Sequence, residues 1–338
     1  MNRRLLIWTG VLWLAGHSLG LAQELKEIAS FPTGPRRNTL PALSPDGNTF
    51  AAWCGGFSGE NPVTELKLWD VATGKQTASI PVKSDCLNLT FSADGKLLAS
   101  NNHGADSKLT VWDLAAKKPR ATYTDTLICD RIVFSSNGQQ IAAAGALGVE
   151  LRDLANGTVL SSFNHTVLVF RALAFTRDLK MLAASNYQEI ELWDVRTGKL
   201  RTILSEQRGT VERLTFTQDE KTLVAASYWS KKRRGSTTQI KLWDLASGKD
   251  RATLPEQAGE IRDIRVSPDG KILALVLWQD ASDDDELKLL EIASGRTWSL
   301  GNAPHNLFDP MLFTPDGRLL VGRPTDDVMK LYRVSLPK

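Results

Sequence analysis

Few residues of this chain have the types and spacing that chemistry needs, and context decides each case. Gly16-His17-Ser18-Leu19-Gly20 matches the Gly-x-Ser-x-Gly elbow, in which a strained strand-to-helix turn holds a serine hydroxyl out for attack. Here it lies in an apolar leader with no strand before it, so the match is a coincidence. No phosphate-binding glycine loop, His-Glu-x-x-His or Cys-x-x-Cys occurs. Beyond residue 22 the histidines are His103, His165 and His305, too scattered in sequence to form a local ligand set. The acidic run Asp280, Asp283, Asp284, Asp285 and Glu286 lacks the alternating spacing and glycine of a calcium loop and reads as a solvated loop. No metal, no cofactor and no catalytic group are expected.

A different constellation points to recognition. Tyr228 and Trp229 precede the basic run Lys231-Lys232-Arg233-Arg234, and Trp278 precedes the acidic run. Aromatic side chains anchor partners and arginine directs hydrogen bonds to carboxylates. The two runs either pair with each other or leave the basic one to receive an acidic protein segment or an anionic glycan. Nucleic acid is not expected. Arg3 and Arg4 lead an apolar stretch from Leu5 to about Ala15, closed by small residues ending Gly20-Leu21-Ala22, which is the pattern of a secretory signal peptide cleaved after Ala22. Loss of its two arginines takes the formal net charge from +3 to +1, which gives no global reason to expect nucleic acid as a partner. The expected product, residues 23–338, is secreted or periplasmic, has no membrane span and is a monomer.

The elements that would position such residues come from a repeat. Ser44-Pro45-Asp46-Gly47 recurs as Ser92-Ala93-Asp94-Gly95, Ser135-Ser136-Asn137-Gly138, Thr176-Arg177-Asp178-Leu179, Thr217-Gln218-Asp219-Glu220, Ser267-Pro268-Asp269-Gly270 and Thr314-Pro315-Asp316-Gly317. Apolar runs flank each copy, so each marks a β-hairpin. A third strand follows with alternating pattern, as in Leu66-Lys67-Leu68-Trp69-Asp70, and then a glycine turn and a fourth strand. The third-strand markers stand 40 to 50 residues apart, the length of a four-stranded propeller blade.

Trp69-Asp70, Trp112-Asp113, Trp193-Asp194 and Trp243-Asp244 give the chain a resemblance to the WD-repeat family over nearly its whole length after residue 22. The resemblance implies an all-β, seven-bladed β-propeller of four-stranded antiparallel blades. Its last unit lacks a fourth strand while Leu25 to Phe31 is left over, so the N-terminal strand is expected to join the last blade and close the ring. The family's Gly-His dipeptide is missing before every inner strand, and apolar packing is expected to carry more of the stability. Cys86 and Cys129 fall at one inner-strand position in successive blades, as buried small hydrophobes or an interblade disulfide.

The longest connections lie between second and third strands, including Tyr228 to Gln239 and Trp278 to Glu286, and would share one face. The resemblance marks His103, Tyr187, Tyr228 and Trp278 as ligand-contacting positions of that face. Asp130, Arg171, Glu212, Arg262 and Asp309 form a second set at the start of the inner strands, with signs that alternate around the channel mouth. They read as salt bridges or as direct ligand contacts. The expected function is a scaffold for protein-protein interaction; the alternative is a lactonase- or hydrolase-like propeller acting at the channel mouth.

Overall fold

A computed structural model describes residues 25–33, 41–55, 64–82, 86, 88–101, 108–124, 131–145, 148–163, 171–205, 207–231, 235–304, 311–314, 316–324 and 328–334. Their strands pair into seven antiparallel sheets. Sheet 1 holds Ala42–Leu43, Thr49–Gly55, Thr64–Asp70 and Gln76–Val82; sheet 2 holds Asn88–Phe91, Leu97–Asn101, Leu109–Asp113 and Lys118–Tyr123. Sheet 3 is Arg131–Phe134, Gln140–Gly145, Gly148–Asp153 and Val159–Phe163, and sheet 4 is Ala172–Phe175, Met181–Asn186, Glu189–Asp194 and Lys199–Leu204. Sheet 5 comprises Thr210–Phe216, Thr222–Lys231, Gly235–Asp244 and Lys249–Thr253, with the short strand Gln257–Ala258 added to its third member. Sheet 6 comprises Glu260–Val266, Ile272–Gln279, Asp284–Glu291 and Thr297–Pro304. In sheet 7, Met311–Phe313, Leu319–Pro324 and Val328–Val334 are joined by the N-terminal strand Leu25–Pro32, which pairs with Val328–Val334 from Leu25↔Val334 to Pro32↔Val328. Among the described residues no helix is long and apolar enough to cross a membrane.

Each hairpin turn is built by one hydroxyl and one side-chain carboxylate or amide oxygen. The Ser44 hydroxyl donates to Asp46 Oδ1 at 2.6 Å and accepts the Thr49 amide at 2.8 Å, while Asp46 Oδ1 also accepts the Asn48 amide at 3.0 Å. The same Ser or Thr to Asp bond recurs at Ser92, Thr176, Thr217, Ser267 and Thr314, and at Ser135 with Asn137 as the acceptor. The fourth turn residue has positive φ, which glycine adopts without strain; Leu179 and Glu220 hold φ 55° there with a side chain. Turns of neighbouring sheets touch, since the Ser136 amide donates to Arg177 O and the Arg177 amide to the Glu220 carboxylate. The hairpin turns of these sheets therefore lie at one end, and the connections between second and third strands at the other.

The third-strand alternation implies one buried face. The third strands of sheets 1, 2 and 6 keep that alternation, whereas second strands are buried on both faces because every sheet has a neighbour on each side. Ile141 and Ala143 face sheet 2 while Ala142 and Ala144 face sheet 4. The Trp of each Trp-Asp pair turns toward the preceding sheet: Trp112 toward sheet 1, Trp193 onto Phe163 of sheet 3 at 5.6 Å, and Trp243 toward sheet 4. Trp112 Nε1 also donates to Ser100 Oγ at 2.9 Å. The partner aspartates tie the following turn; Asp70, Asp113, Asp194 and Asp244 each accept a backbone amide three residues on at 2.8 to 2.9 Å. In sheet 3, Arg152 stands at the Trp place, ion-paired to buried Glu150 and stacked over Tyr123 of sheet 2 at 4.9 Å. Cys54 and Cys86 are buried, with the Cys86 thiol directed at Asn88 O at 3.1 Å; Cys129 lies outside the described residues.

Sheets 7 and 1 meet through Phe31, Phe50 and Trp69. The two phenyl rings stack at 4.4 Å, and Trp69 lies 5.7 and 5.6 Å from them. Phe31 belongs to the N-terminal strand and is fully buried. Replacing Phe31 by Ala is expected to lower unfolding free energy by about 3–5 kcal/mol, measured as a shifted denaturant midpoint at unchanged slope.

The turn carboxylates also predict acid sensitivity. Hydrogen bonds from Thr314 and Arg318 bring Asp316 down to about 2, and those from Arg201 and Thr197 do the same for Asp194. Asp94, Asp219 and Asp269 are lowered by the Ser or Thr hydroxyl of their turn, and Asp70 and Asp244 by Thr73 and Ser247. In Asp46 and Asp178 burial raises the carboxyl, but the turn hydrogen bonds outweigh it. Such groups bind protons more weakly folded than unfolded, so they stabilise fully above about pH 4 and lose that contribution as the pH falls toward 2. A midpoint followed by circular dichroism from pH 6 to pH 2 should drop steeply below pH 4; a flat profile would refute this origin.

Candidate functional site

The end opposite the hairpin turns is dominated by sheets 5 and 6. Much of the expected loops Tyr228 to Gln239 and Trp278 to Glu286 is paired strand: Tyr228 pairs with Thr238, Trp229 with Thr237, and Trp278 with Asp285. Aromatic residues opposite the β-branched Thr237 and Thr238 make good cross-strand pairs, so the strands continue outward as ribbons of ten and eight residues. The polar composition of these stretches had read as loop. The two ribbons are tied by Asp280, whose carboxylate accepts the Ser236 amide at 2.5 Å and the Ser236 hydroxyl at 3.2 Å. Trp278 Nε1 donates to Asp283 at 2.9 Å. Thr238 Oγ1 donates to Gly259 O at 2.8 Å and clasps the sheet 5 ribbon to the start of sheet 6.

At the base of each ribbon the inner strand bulges, between Val211 and Arg213 in sheet 5 and between Ile261 and Asp263 in sheet 6. Glu212 and Arg262 are thus the extra residues of the two bulges. Gly209 and Gly259 precede the bulges with φ +82° and +100°; a Cβ would meet Tyr228 O at 2.3 Å and Trp278 O at 2.6 Å. Glycine is required at both places. The repeated Glu206-Gln207-Arg208-Gly209 and Glu256-Gln257-Ala258-Gly259 was a sequence signal for this geometry.

Three arginine-on-aromatic contacts run across sheets 4 to 6. Arg171 lies over Tyr187 at 5.4 Å, Arg208 over Trp229 at 4.5 Å and Arg262 over Trp278 at 5.3 Å. Each arginine also meets a glutamate: Arg171 with Glu212 at 3.2 Å, Arg208 with Glu256 at 3.4 Å and Arg262 with Glu260 at 2.9 Å. Tyr187 is 53% exposed and holds φ 55°, while its carbonyl accepts the Val211 amide at 2.7 Å. Burial pushes the Glu212 carboxyl up, opposed by Arg171 and Arg213; burial, Glu260 and Glu212 together push the Tyr228 hydroxyl up.

Of the ring expected at the mouth, Arg171 and Glu212 pair between sheets, whereas Arg262 pairs with Glu260 two residues earlier on its own strand. That glutamate, like Arg208 and Glu256, was missed in the sequence. Asp130, Asp309, His103, Lys232, Arg233 and Arg234 lie outside the described residues; Lys231 ends a strand, opposite Gly235. Among the described residues no group of three or more His, Cys, Asp and Glu side chains converges as metal ligands would.

A family model described as "WD domain, G-beta repeat" matches residues 74–113, one repeat's length spanning Trp112-Asp113. No curated protein matches the chain by sequence. A chain of the solved "Crystal Structure of Mitotic Checkpoint Complex" is similar at a TM-score of 0.72 and 14% identity, covering 99% of this chain and 100% of that one. At that identity the likeness shows the fold alone: an all-β arrangement of the WD-repeat propeller type.

Proposed function

We propose that the chain is an exported, non-catalytic scaffold, a seven-bladed propeller closed through its N-terminal strand, that holds a protein partner on the end carrying the two ribbons. The band of Tyr187, Trp229 and Trp278, each under an arginine, carries this reading. It presents rigid aromatic surface and directed donors across three sheets, the composition of interface hot spots. WD-type propellers are generally interaction scaffolds, and the similar solved chain comes from a complex. The glutamates beside Arg171, Arg208 and Arg262 already neutralise these arginines, so the band favours mixed polar and apolar partner residues. Attraction for an acidic segment or an anionic glycan falls to the run Lys231-Lys232-Arg233-Arg234.

Capture from envelope and culture fractions with the chain from residue 23, beside a Tyr187→Ser, Trp229→Ser, Trp278→Ser variant of unchanged circular dichroism, tests the band. A partner bound by the first should bind the variant at least about thirty-fold more weakly, as loss of a hot spot of about 2 kcal/mol implies. Equal binding refutes the site. Export is tested separately: the mature N-terminus, read by mass spectrometry, should be Gln23.

A further inference from the structure

The channel between the sheets carries a second feature, independent of the ribbon end. Residues of sheets 3 to 7 line a half-open cavity of about 330 Å³ whose walls include Phe175, Leu214, Phe216, Val266 and Phe313. Three arginines line it from three different sheets: Arg131, Arg177 and Arg265. The acid among the described lining residues is Glu220, which already accepts the Arg177 amide. Asp263 binds Arg265 at 2.6 Å and, with Glu212, is an attractive charge on Arg213. The remaining donors of those two arginines go to backbone carbonyls: Arg265 to Met311 O at 3.0 Å, Arg213 to Arg262 O at 2.5 Å and Glu212 O at 2.7 Å. Burial pushes the guanidinium of Arg213, a neighbour of Arg265 outside the cavity lining, down. With its amide oriented to satisfy both neighbours, Gln218 accepts from Arg177 Nη1 at 3.2 Å and donates to Pro268 O at 3.0 Å, holding Arg177 at the turn end of the cavity.

We propose that this cavity binds a small organic oxyanion, a carboxylate or phosphate ester borne on an apolar body. An apolar-walled space whose described lining holds three guanidiniums and one carboxylate has a positive potential that attracts anionic ligands. Guanidinium forks match both carboxylate and phosphate. The phenylalanines provide contact for an aromatic or aliphatic body, and the volume lies at the lower end of the range of ligand sites.

The full chain is titrated with phenyl phosphate, benzoate, inorganic phosphate and benzyl alcohol, following both calorimetric heat and the thermal midpoint. At least one aromatic anion should bind saturably and raise the midpoint, and the tighter of the two identifies the headgroup. Arg177→Gln should weaken binding about tenfold, the effect of one charge-assisted contact. A Lys96→Gln, Lys271→Gln variant, which removes two exposed charges from hairpin turns at the same end, should leave it unchanged. Each variant's shift is read against its own unliganded midpoint. Thr215→Leu, which narrows the cavity without touching a charge, should also weaken binding. No binding by either aromatic anion, equal binding by inorganic phosphate or benzyl alcohol, or equal loss in the lysine variant would overturn the site.

Discussion

Packing between sheets is the interaction on which this molecule depends. A four-stranded sheet of this kind has two apolar faces and no element of its own to cover either. Each is covered by the next sheet, through clusters of Ala, Leu, Ile and Val, most of them with aromatic side chains. The clusters run from sheets 1 and 2 through to sheets 6 and 7, and the Phe31, Phe50 and Trp69 cluster joins sheet 7 to sheet 1. Each sheet is therefore the solvent-excluding wall of two others. This explains why second strands such as Ile272–Gln279 carry almost unbroken apolar sequence instead of alternation.

Within that frame the turns are local and the ribbons are not. The Ser or Thr to Asp turn closes within six residues, which is why its sequence trace was legible in every repeat, even where Leu179 and Glu220 replace glycine. The third-strand Trp-Asp pairs were legible for the same reason: the aspartate closes a local turn. The ribbons of sheets 5 and 6 were not, because their pairing depends on partners across the strand, and a run such as Ser-Thr-Thr-Gln has no intrinsic sign of pairing until Tyr228 and Trp229 are placed opposite it. Arg152 at a Trp place was equally opaque. Nothing local says that a guanidinium there will stack on Tyr123 and pair with a buried glutamate.

The site residues follow the same division. Tyr187, Tyr228 and Trp278 could be placed at one end by counting from the hairpin turn, since the count is fixed by strand length. The bulges at Glu212 and Arg262 shift the register by one residue, and that shift decides which neighbours each charged group meets. Alternating signs in the sequence suggested pairs between adjacent sheets. Arg171 follows that rule, but Arg262 reaches back to Glu260, two residues earlier on its own strand.

The left-handed residues of sheets 4 and 5 have a further consequence. A side chain at positive φ costs about 1–2 kcal/mol relative to glycine. Leu179 offsets that strain by filling the cluster between sheets 3 and 4, and Glu220 by reaching the amide of Arg177 in sheet 4. Each has turned a generic turn position into a contact with one specific neighbour. The repeats have thereby lost their interchangeability: sheet 4 is shaped to follow sheet 3, and sheet 5 to follow sheet 4. A chain with its units reordered would keep every local turn and still misfit at these two seams, so the linear order of the repeats is itself recorded in the three-dimensional structure.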